Sequence, residues 1–426
     1  MIDKTTKETL IGCSTETTGP VIFNFVRWAL DEAMCRGVKK LYFLARDGYT
    51  LFKIATLIID KLNLPITCRY LYCSRNSLRL PTYHLIGEEA YDLLSLGGYH
   101  VSIASILSRV PISESTKQSI LRELGIHTAD TTRILSPKEI FDFTGRLRNN
   151  EIYRAAVFME SKKAYIPTIG YLRQEGLMEQ DVVAIVDSGW SGSMQRSLRQ
   201  LLKSAGYSGT LMGFYFGLYT QPNDPCDGIY LSWYFNSQGR IRDKALFCNN
   251  LFECILSAPH GMTLSYQERS GHFEPFLLPV PANDSVDLIN IQVESILNYT
   301  LKQLPEIQGY FNREKALKMT RRAMHRFMVR PTKEEVLTYG HFLFDDDVMD
   351  SNRYSLADES QVMLLGGYSI PARFYRKFQG NNNGNARELF WPYGTIAFLP
   401  MRKQRWYRWN IIGWELLKYI SQYLRG

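Results

Sequence analysis

The chain has 426 residues, of which 45% are hydrophobic and 22% charged, and its formal net charge is +8. This composition excludes a disordered chain and leaves room for one large α/β domain and a second module. The seven cysteines include no CxxC pair, which argues against a zinc site and favours reduced, buried thiols. No apolar run is long enough to cross a bilayer, and the start MIDKTTKETL is too polar for a secretory signal. We therefore expect a cytoplasmic protein.

The beginning of the chain predicts strands that alternate with helices. The predicted elements are, in order, a polar and loose lead-in (1–18), a helix (21–34), a buried strand (39–44), the loop ARDG (45–48), a helix (49–59) and a strand (67–73). Asp47 and Arg75 each stand just beyond one of these strands. Elements in this order are typical of a parallel α/β sheet.

A more polar and helical stretch, 88–179, then separates two core strands. Because it interrupts the alternation of strands and helices, we interpret it as a helical insertion. It is predicted to be a lid or an acceptor-binding hood over the site, and a plain structural subdomain is an equal alternative.

The segment DVVAIVDSGWSGSMQRSLRQLL (181–202) is the centre of the predicted site. Val182 to Val186 reads as a buried strand with Asp187 at its carboxyl end, and helical spacing resumes at Met194. Between them, Ser188 to Ser193 contain two glycines and three serines. Ligands of open α/β sheets bind beyond the strand ends, where N–H groups at a helix start hold anions. Residues 187–193 are therefore predicted to be a phosphate cradle, with an ordinary turn as the alternative.

Three side chains are predicted to share one edge of the sheet because each follows a strand: Asp47, Arg75 and Asp187. Each also has a purely structural alternative. Asp47 could cap the next helix and Asp187 could hold its own loop, while Arg46 and Arg75 could be surface partners of these carboxylates. The shared position at strand ends favours a site.

Two further strands are predicted, at 210–218 and 228–235. A helical C-terminal region is predicted at 283–400, followed by a final helix at 401–426. The segment NNLFECILSAPHGMTLSY (249–266) adds two candidate site residues, Glu253 and His260. The plainer interpretation of His260 is a loop histidine that is hydrogen-bonded to the backbone.

The final segment, MRKQRWYRWNIIGWELLKYISQYLRG, combines tryptophans at helical spacing with flanking basic residues. This pattern is typical of an amphipathic helix on an anionic membrane surface, and docking back on the protein is the alternative. Because much of the positive charge lies late in the chain, we expect a membrane rather than a nucleic acid as the partner. The predicted location is the inner face of the cytoplasmic membrane.

Four motifs resemble a bacterial family that occurs among polysaccharide-biosynthesis genes and is often labelled as predicted hydrolases of the haloacid-dehalogenase superfamily. They are FLARDGYTLFKIA (43–55), YLYCSRNSLRLP (70–81), VDSGWSGSMQRSL (186–198) and LFECILSAPHGMTLSY (251–266). In many members a dehalogenase-type domain lies upstream of these motifs. Its hhhhDxDx[TV] motif does not occur here, since Gly189 and Tyr49 stand two residues beyond Asp187 and Asp47. We expect the hydrolase label to describe that other domain.

The shared domain, residues 19–270, in turn looks like a phosphoribosyltransferase, which implies a parallel α/β sheet with the helical insertion 88–179 and a helical C-terminal region. The resemblance implies that the 5-phosphate of phosphoribosyl diphosphate binds at Ser188, Gly189, Trp190, Ser191, Gly192 and Ser193. It implies that the diphosphate binds at Arg46, Asp47, Gly48 and Arg75, together with Mg²⁺ that has no direct protein ligand. Asp187 and Asp47 would be catalytic, and Tyr49, Glu253 and His260 would contact the acceptor or support the site.

The implied activity is transfer of ribose 5-phosphate to a growing, lipid-linked surface polysaccharide, after which a separate phosphatase could remove the phosphate. Asp187 would stabilise the positive sugar ring, and Asp47 would accept the proton of the acceptor hydroxyl. Three alternatives stay open. Gly189 to Ser193 nearly match a G-x-S-x-G elbow with His260 downstream, which would suit a serine esterase. A dehalogenase-type phosphatase and a non-catalytic assembly factor at the membrane are the other two.

Overall fold

The computed structural model describes residues 2–96, 98, 100–179, 181–220, 228–280, 286–340, 342–345, 353–378 and 389–423. A five-stranded parallel sheet with the order β2-β1-β3-β4-β5 lies at its centre. The strands are β1 Lys40–Leu44, β2 Thr67–Leu71, β3 Val182–Trp190, β4 Thr210–Leu218, β5 Ile229–Phe235, β6 Thr263–Arg269, β7 His272–Leu277, β8 Leu343–Asp345 and β9 Arg353–Ser355. The last four form two antiparallel pairs.

Helices account for most of the remaining described chain. They are α1 Lys4–Cys13, α2 Gly19–Cys35, α3 Gly48–Leu62, α4 Arg75–Arg79, α5 Tyr83–Ile86, α6 Glu89–Ser95, α7 Ile103–Ser108, α8 Glu114–Glu123, α9 Pro137–Arg148, α10 Glu151–Gln174, α11 Ser193–Ser204, α12 Ile241–Ala245, α13 Asn249–Ile255, α14 Val286–Gln303, α15 Arg313–Val329, α16 Lys333–Gly340, α17 Ile370–Phe378, α18 Pro392–Ile396 and α19 Met401–Tyr423. The predicted parallel α/β fold with a helical insertion and a helical C-terminal region is confirmed.

Both faces of β1, β3 and β4 are largely buried, which explains why these strands read as mostly apolar runs. On β1, Leu41 and Phe43 point into one hydrophobic core, while Tyr42 and Leu44 point into another. Helices α2 and α3 contribute to the first core and α10 and α11 to the second. Successive side chains of β1 therefore point alternately into the two helical layers.

The strand order creates one crevice at the carboxyl edge of the sheet. β1 pairs with β2 on one side and with β3 on the other, so the chain changes direction between β1 and β3. Ligands of doubly wound sheets bind at such a switch point. Phe43 pairs with Val186, which brings the end of β1 beside Asp187.

The predicted loose lead-in is wrong, because residues 4–18 are helical. The Asp3 carboxylate caps α1 by accepting a hydrogen bond from Thr6 N at 2.9 Å. Leu10 and Cys13 are buried, and α1 packs against α16 and α14. The few apolar positions among many polar ones hid this helix, which tertiary packing stabilises.

The insertion is helical, as predicted, and it has a hydrophobic core of its own around Ile106, Ile120 and Tyr153. The C-terminal region instead shares the core of the sheet, to which it contributes Phe327 and Trp391. The C-terminal region therefore packs around the same core as the sheet.

The final helix, α19, packs on the protein through one face and leaves another exposed. Ile411 is buried, Arg408 Nε donates to Val329 O at 3.0 Å, and Glu415 pairs with Arg373 at 3.1 Å. Trp406 and Trp409 are 52% and 74% exposed. Within the described residues, no helix combines the length and the apolar character needed to cross a bilayer.

Candidate active site

The predicted phosphate loop 187–193 is mostly strand. β3 continues to Trp190, α11 begins at Ser193, and only Ser191 and Gly192 lie between them. β4 stays paired with β3 beyond Asp187, because Gly189 lies opposite Gly217 and no side chain separates the two backbones. The small residues that predicted a loop instead permit close contact between two strands.

Asp47 and β3 meet at the switch point. Asp47 is half-buried in the turn between β1 and α3, and its carboxylate accepts a hydrogen bond from the Ser188 hydroxyl. The peptide bond between Ala45 and Arg46 is cis. A Cβ at Gly48 would lie 2.7 Å from the carbonyl carbon of Phe43, so only glycine lets α3 begin this close to β1. The structure thus brings together the predicted residues Asp47 and Ser188.

Three carboxyl groups influence one another at this position: Asp47, Asp187 and Glu253. Burial raises the pKa of Asp187 well above its usual range, and the charge of Asp47 raises it further. Burial, followed by the charge of Asp47, raises the pKa of Glu253 to about 7. The pKa of Asp47 is also raised by burial, although the Ser188 hydroxyl and two arginines oppose this. Burial and mutual repulsion therefore favour the protonated forms of these carboxyl groups, most directly at Glu253, whose pKa lies near neutral pH.

Trp190 connects β3 to the helix that carries Glu253. Its indole Nε1 donates to Glu253 Oε1 at 2.7 Å, and its ring lies 5.3 Å from that of Phe247. Its backbone has a φ of 85°, which costs on the order of 1–3 kcal/mol for a residue with a side chain. Such strain persists where surrounding contacts determine it and is common at functional sites. The Trp190 side chain therefore positions Glu253.

Two arginines supply positive charge on the side of β1 and β2. Arg46 precedes Asp47, and Arg75 is the exposed first residue of α4, which Ser74 caps. The charges of both arginines act to lower the pKa values of Asp47 and Glu253. They lie close enough to the carboxyl cluster to bind an anion beside it.

A third arginine, Arg79, lies on the side of α11 and was missed by the sequence analysis. Its Nη2 donates to Ser193 Oγ at 3.2 Å, at the first residue of α11. Gly192 precedes that residue with a φ of 66°. The spacing of Arg75 and Arg79, four residues apart after a strand, is the signal that could have indicated a shared helical face.

His260 belongs to an aromatic cluster beside the arginines. Its Nδ1–H donates to Gly261 O at 2.9 Å, so its Nε2 accepts from the Tyr70 hydroxyl at 2.7 Å. The Tyr49 ring lies 6.0 Å away, and burial lowers the pKa of His260. The structure thus places Tyr49 and His260 together, and it does not pair His260 with the exposed Ser191.

Within the described ranges, no group of three or more His, Cys, Asp or Glu side chains is placed to hold a metal ion. The sequence matches no protein-family model, and comparison with curated proteins gives no match. The chemistry therefore rests on the site itself, in which carboxyl groups with raised pKa values lie at a switch point beside arginines.

Proposed function

We propose that this protein is a glycan phosphoribosyltransferase, which moves ribose 5-phosphate from phosphoribosyl diphosphate to a hydroxyl of a growing bacterial surface polysaccharide. The observation that carries the proposal is the charge pattern. Arg46 and Arg75 lie beside the carboxyl cluster, and Arg79, one helical turn from Arg75, lies at the start of α11. The donor has the complementary pattern, with phosphates at both ends and a positive sugar carbon between them in the transition state.

The proposed step breaks the bond between C1 and the diphosphate oxygen and forms a bond between C1 and the acceptor oxygen. Asp187, in its ionised form, stabilises the positive ring, and Asp47 accepts the proton of the acceptor hydroxyl. Arg46, the backbone at Gly48 and Arg75 bind the leaving diphosphate. Ser188 holds the Asp47 carboxylate in place through its hydrogen bond.

Mg²⁺ is the cofactor in this proposal, and it neutralises the leaving diphosphate when bound. Mg²⁺ commonly binds through one or two carboxylates together with substrate phosphates. Here the substrate diphosphate, bound by Arg46 and Arg75, would hold the ion, which leaves the nearby Asp47 carboxylate to accept the proton of the acceptor. The protein would therefore contribute little direct ligation.

The serine esterase alternative has less support. Both ring nitrogens of His260 have other partners, Tyr70 and Gly261, so His260 is not placed to activate Ser191. A dehalogenase-type phosphatase would need an aspartate where Gly189 or Tyr49 stands. A non-catalytic assembly factor would bind the same donor but would not transfer its ribose 5-phosphate, so only a turnover assay distinguishes it from the transferase.

Isothermal calorimetry with phosphoribosyl diphosphate and Mg²⁺ tests the proposed donor. We expect saturable, Mg²⁺-dependent binding, and release of diphosphate when a suitable glycan acceptor is added. Binding without release under these conditions would favour the assembly factor. The transferase proposal fails if no heat of binding is seen at millimolar donor, on the order of the highest cellular metabolite concentrations.

We also propose that the protein binds the inner membrane surface through an aromatic tail surface, defined as Arg402, Arg405, Trp406 and Trp409. All four side chains are exposed on α19. Tryptophan inserts at the level of lipid headgroups, and arginine is attracted to anionic lipids. This location would bring the active site to a lipid-linked acceptor.

Replacing Trp406 and Trp409 together by serine is expected to weaken binding to anionic vesicles on the order of tenfold or more, because two partly exposed rings lose their apolar contact. Flotation with phosphatidylglycerol-containing vesicles measures this. The matched control is Phe141→Ser, which changes a 79% exposed aromatic ring in α9. The proposal would be contradicted if the wild type, the double variant and Phe141→Ser floated equally, or if the wild type did not float with the vesicles.

A further inference from the structure

The helices α12, α15 and α19 come together at one place on the protein surface. Arg321 Nε on α15 donates to Asp243 Oδ2 on α12 at 2.8 Å. Arg408 Nε on α19 donates at 3.0 Å to the carbonyl oxygen of Val329, the last residue of α15. The helix α12 also packs directly against α19. Each of the three helices therefore contacts the other two, which fixes their mutual arrangement.

Arginines from all three helices lie at this meeting point. We name Arg242 of α12, Arg330 just after α15 and Arg405 of α19 the basic junction, and their three side chains are exposed. Burial lowers the pKa of His325, and the charges of Arg242 and Arg330 lower it further. Burial also lowers the pKa of Arg408, and the charges of Arg330 and Arg405 act in the same direction. Arg330 thus shares a neighbour with each of the other two arginines, so the three charges form one continuous surface.

The positive charge of the basic junction is not neutralised by the protein. Within the residues that the structure describes, no carboxylate forms an ion pair with any of its three arginines, and nearby carboxylates pair with other cations. Asp243 pairs with Arg321 at 2.8 Å, and Glu415 of α19 pairs with Arg373 at 3.1 Å. Like charges held close together repel one another, and a bound anion relieves this repulsion. The basic junction is therefore suited to an anionic partner.

The neighbouring tryptophans indicate which kind of anion this is. Arg405 belongs both to the basic junction and to the aromatic tail surface, so the two surfaces are continuous on α19. An anionic bilayer offers a plane of charged headgroups next to an interfacial layer that receives tryptophan rings. A nucleic acid duplex offers phosphates without such a layer, so it would leave Trp406 and Trp409 in water. The combination of exposed arginines and tryptophans therefore favours a bilayer.

We infer that the basic junction binds the headgroups of anionic lipids, so that α12 and α15 face the bilayer together with α19. This inference rests on the proposed membrane binding, and it adds the orientation of the protein on the membrane. The ring of Phe247, two residues after α12, lies 5.3 Å from that of Trp190, which donates to Glu253. This orientation would place the membrane near the side of the carboxyl cluster that carries Glu253, as a lipid-linked acceptor requires.

The test compares the wild type with the double variant Arg242→Gln, Arg330→Gln in flotation with phosphatidylglycerol-containing vesicles. Each basic residue near an anionic membrane strengthens binding by roughly fivefold, so the double variant should bind about 10- to 30-fold more weakly at low ionic strength. The difference should become small at about 1 M salt, where exposed charges are screened, and with phosphatidylcholine vesicles. Equal affinities of the two proteins for the anionic vesicles would overturn the inference.

Two controls separate the basic junction from net charge and from damage to the fold. The double variant Arg122→Gln, Lys138→Gln removes the same charge from exposed positions of α8 and α9, and it should bind vesicles as the wild type does. The Arg242→Gln, Arg330→Gln variant should melt at the wild-type temperature or higher, because repulsion is relieved. Equal losses of vesicle binding in the two double variants would make the effect one of net charge and overturn the inference. So would a loss of binding to a DNA duplex with unchanged binding to vesicles.

The tryptophan variant described above distinguishes this inference from the proposal on which it rests. If replacing Trp406 and Trp409 weakens flotation and replacing Arg242 and Arg330 does not, the aromatic tail surface stands and the inference fails. If only the arginine variant binds more weakly, the basic junction is the membrane site and the proposal for the tail fails. A wild type that binds no anionic vesicles would overturn both. None of these outcomes depends on the transferase activity, because flotation requires neither donor nor acceptor.

Discussion

The Asp187→Asn variant is expected to transfer ribose 5-phosphate about a thousandfold more slowly than the wild type, because a preorganised charge beside the developing positive ring is lost. The fold should be retained, since asparagine keeps an oxygen that can accept from the N–H groups of Ser188 and Gly189. Diphosphate release in the presence of donor and acceptor measures the rate. A variant with nearly the wild-type rate would contradict the assignment of Asp187.

The same variant has an expected effect on stability. Because the pKa of Asp187 is raised in the folded protein, the stability it contributes is present at low pH and is lost as the pH rises through the folded value. The melting temperature of Asp187→Asn minus that of the wild type should therefore grow as the pH rises above about 4, the usual pKa of an aspartate in an unfolded chain. Asp181→Asn, at an exposed position just before the same strand, is the matched control and should show no such trend.

Gly189→Ala is expected to prevent folding or to cost about 4 kcal/mol or more of unfolding free energy. Gly189 has a φ of 120°, and a Cβ there would lie 2.1 Å from Gly217 O on the paired strand. Relief would require β3 and β4 to separate beside Asp187. Denaturant unfolding followed by circular dichroism measures the loss.

The matched control is Gly145→Ala in α9, where the new methyl group would have no heavy atom within 4 Å. Alanine in a helix interior is favoured over glycine, so this variant should gain about 0.5–1 kcal/mol. If Gly189→Ala were as stable as the wild type, the close pairing of β3 and β4 at this point would be wrong.

Strong local patterns made much of the fold predictable. The segments 41–44 of β1, 182–186 of β3 and 211–218 of β4 carry no charged residue and are mostly apolar, and such runs between turn residues are typical of strands buried on both faces. The helical insertion was also predictable from its spacing. Helix α1 was not, because Leu10 and Cys13 are too few to mark an apolar face among polar neighbours.

Site residues that directly follow a strand could be predicted from the sequence. Site residues that come together only through packing of distant segments could not. Asp47 and Asp187 were found because parallel strands share one carboxyl edge. The proximity of Glu253 to them depends on α13 packing near Trp190, and that of Arg79 to Ser193 depends on α4 packing against α11. No local spacing encodes either contact.

By itself, the sequence determined that apolar strands alternate with helices and that Asp47 lies just after a strand, because both follow from hydrophobic patterns within short windows. Only the tertiary structure decided that residues 187–190 belong to a strand. A neighbouring strand with glycine at position 217 must be present before Gly189 can pair with it. The same packing shortened the predicted phosphate loop to Ser191 and Gly192 and brought Arg79 to it, because contacts between distant segments, rather than local propensity, determine where such a loop ends.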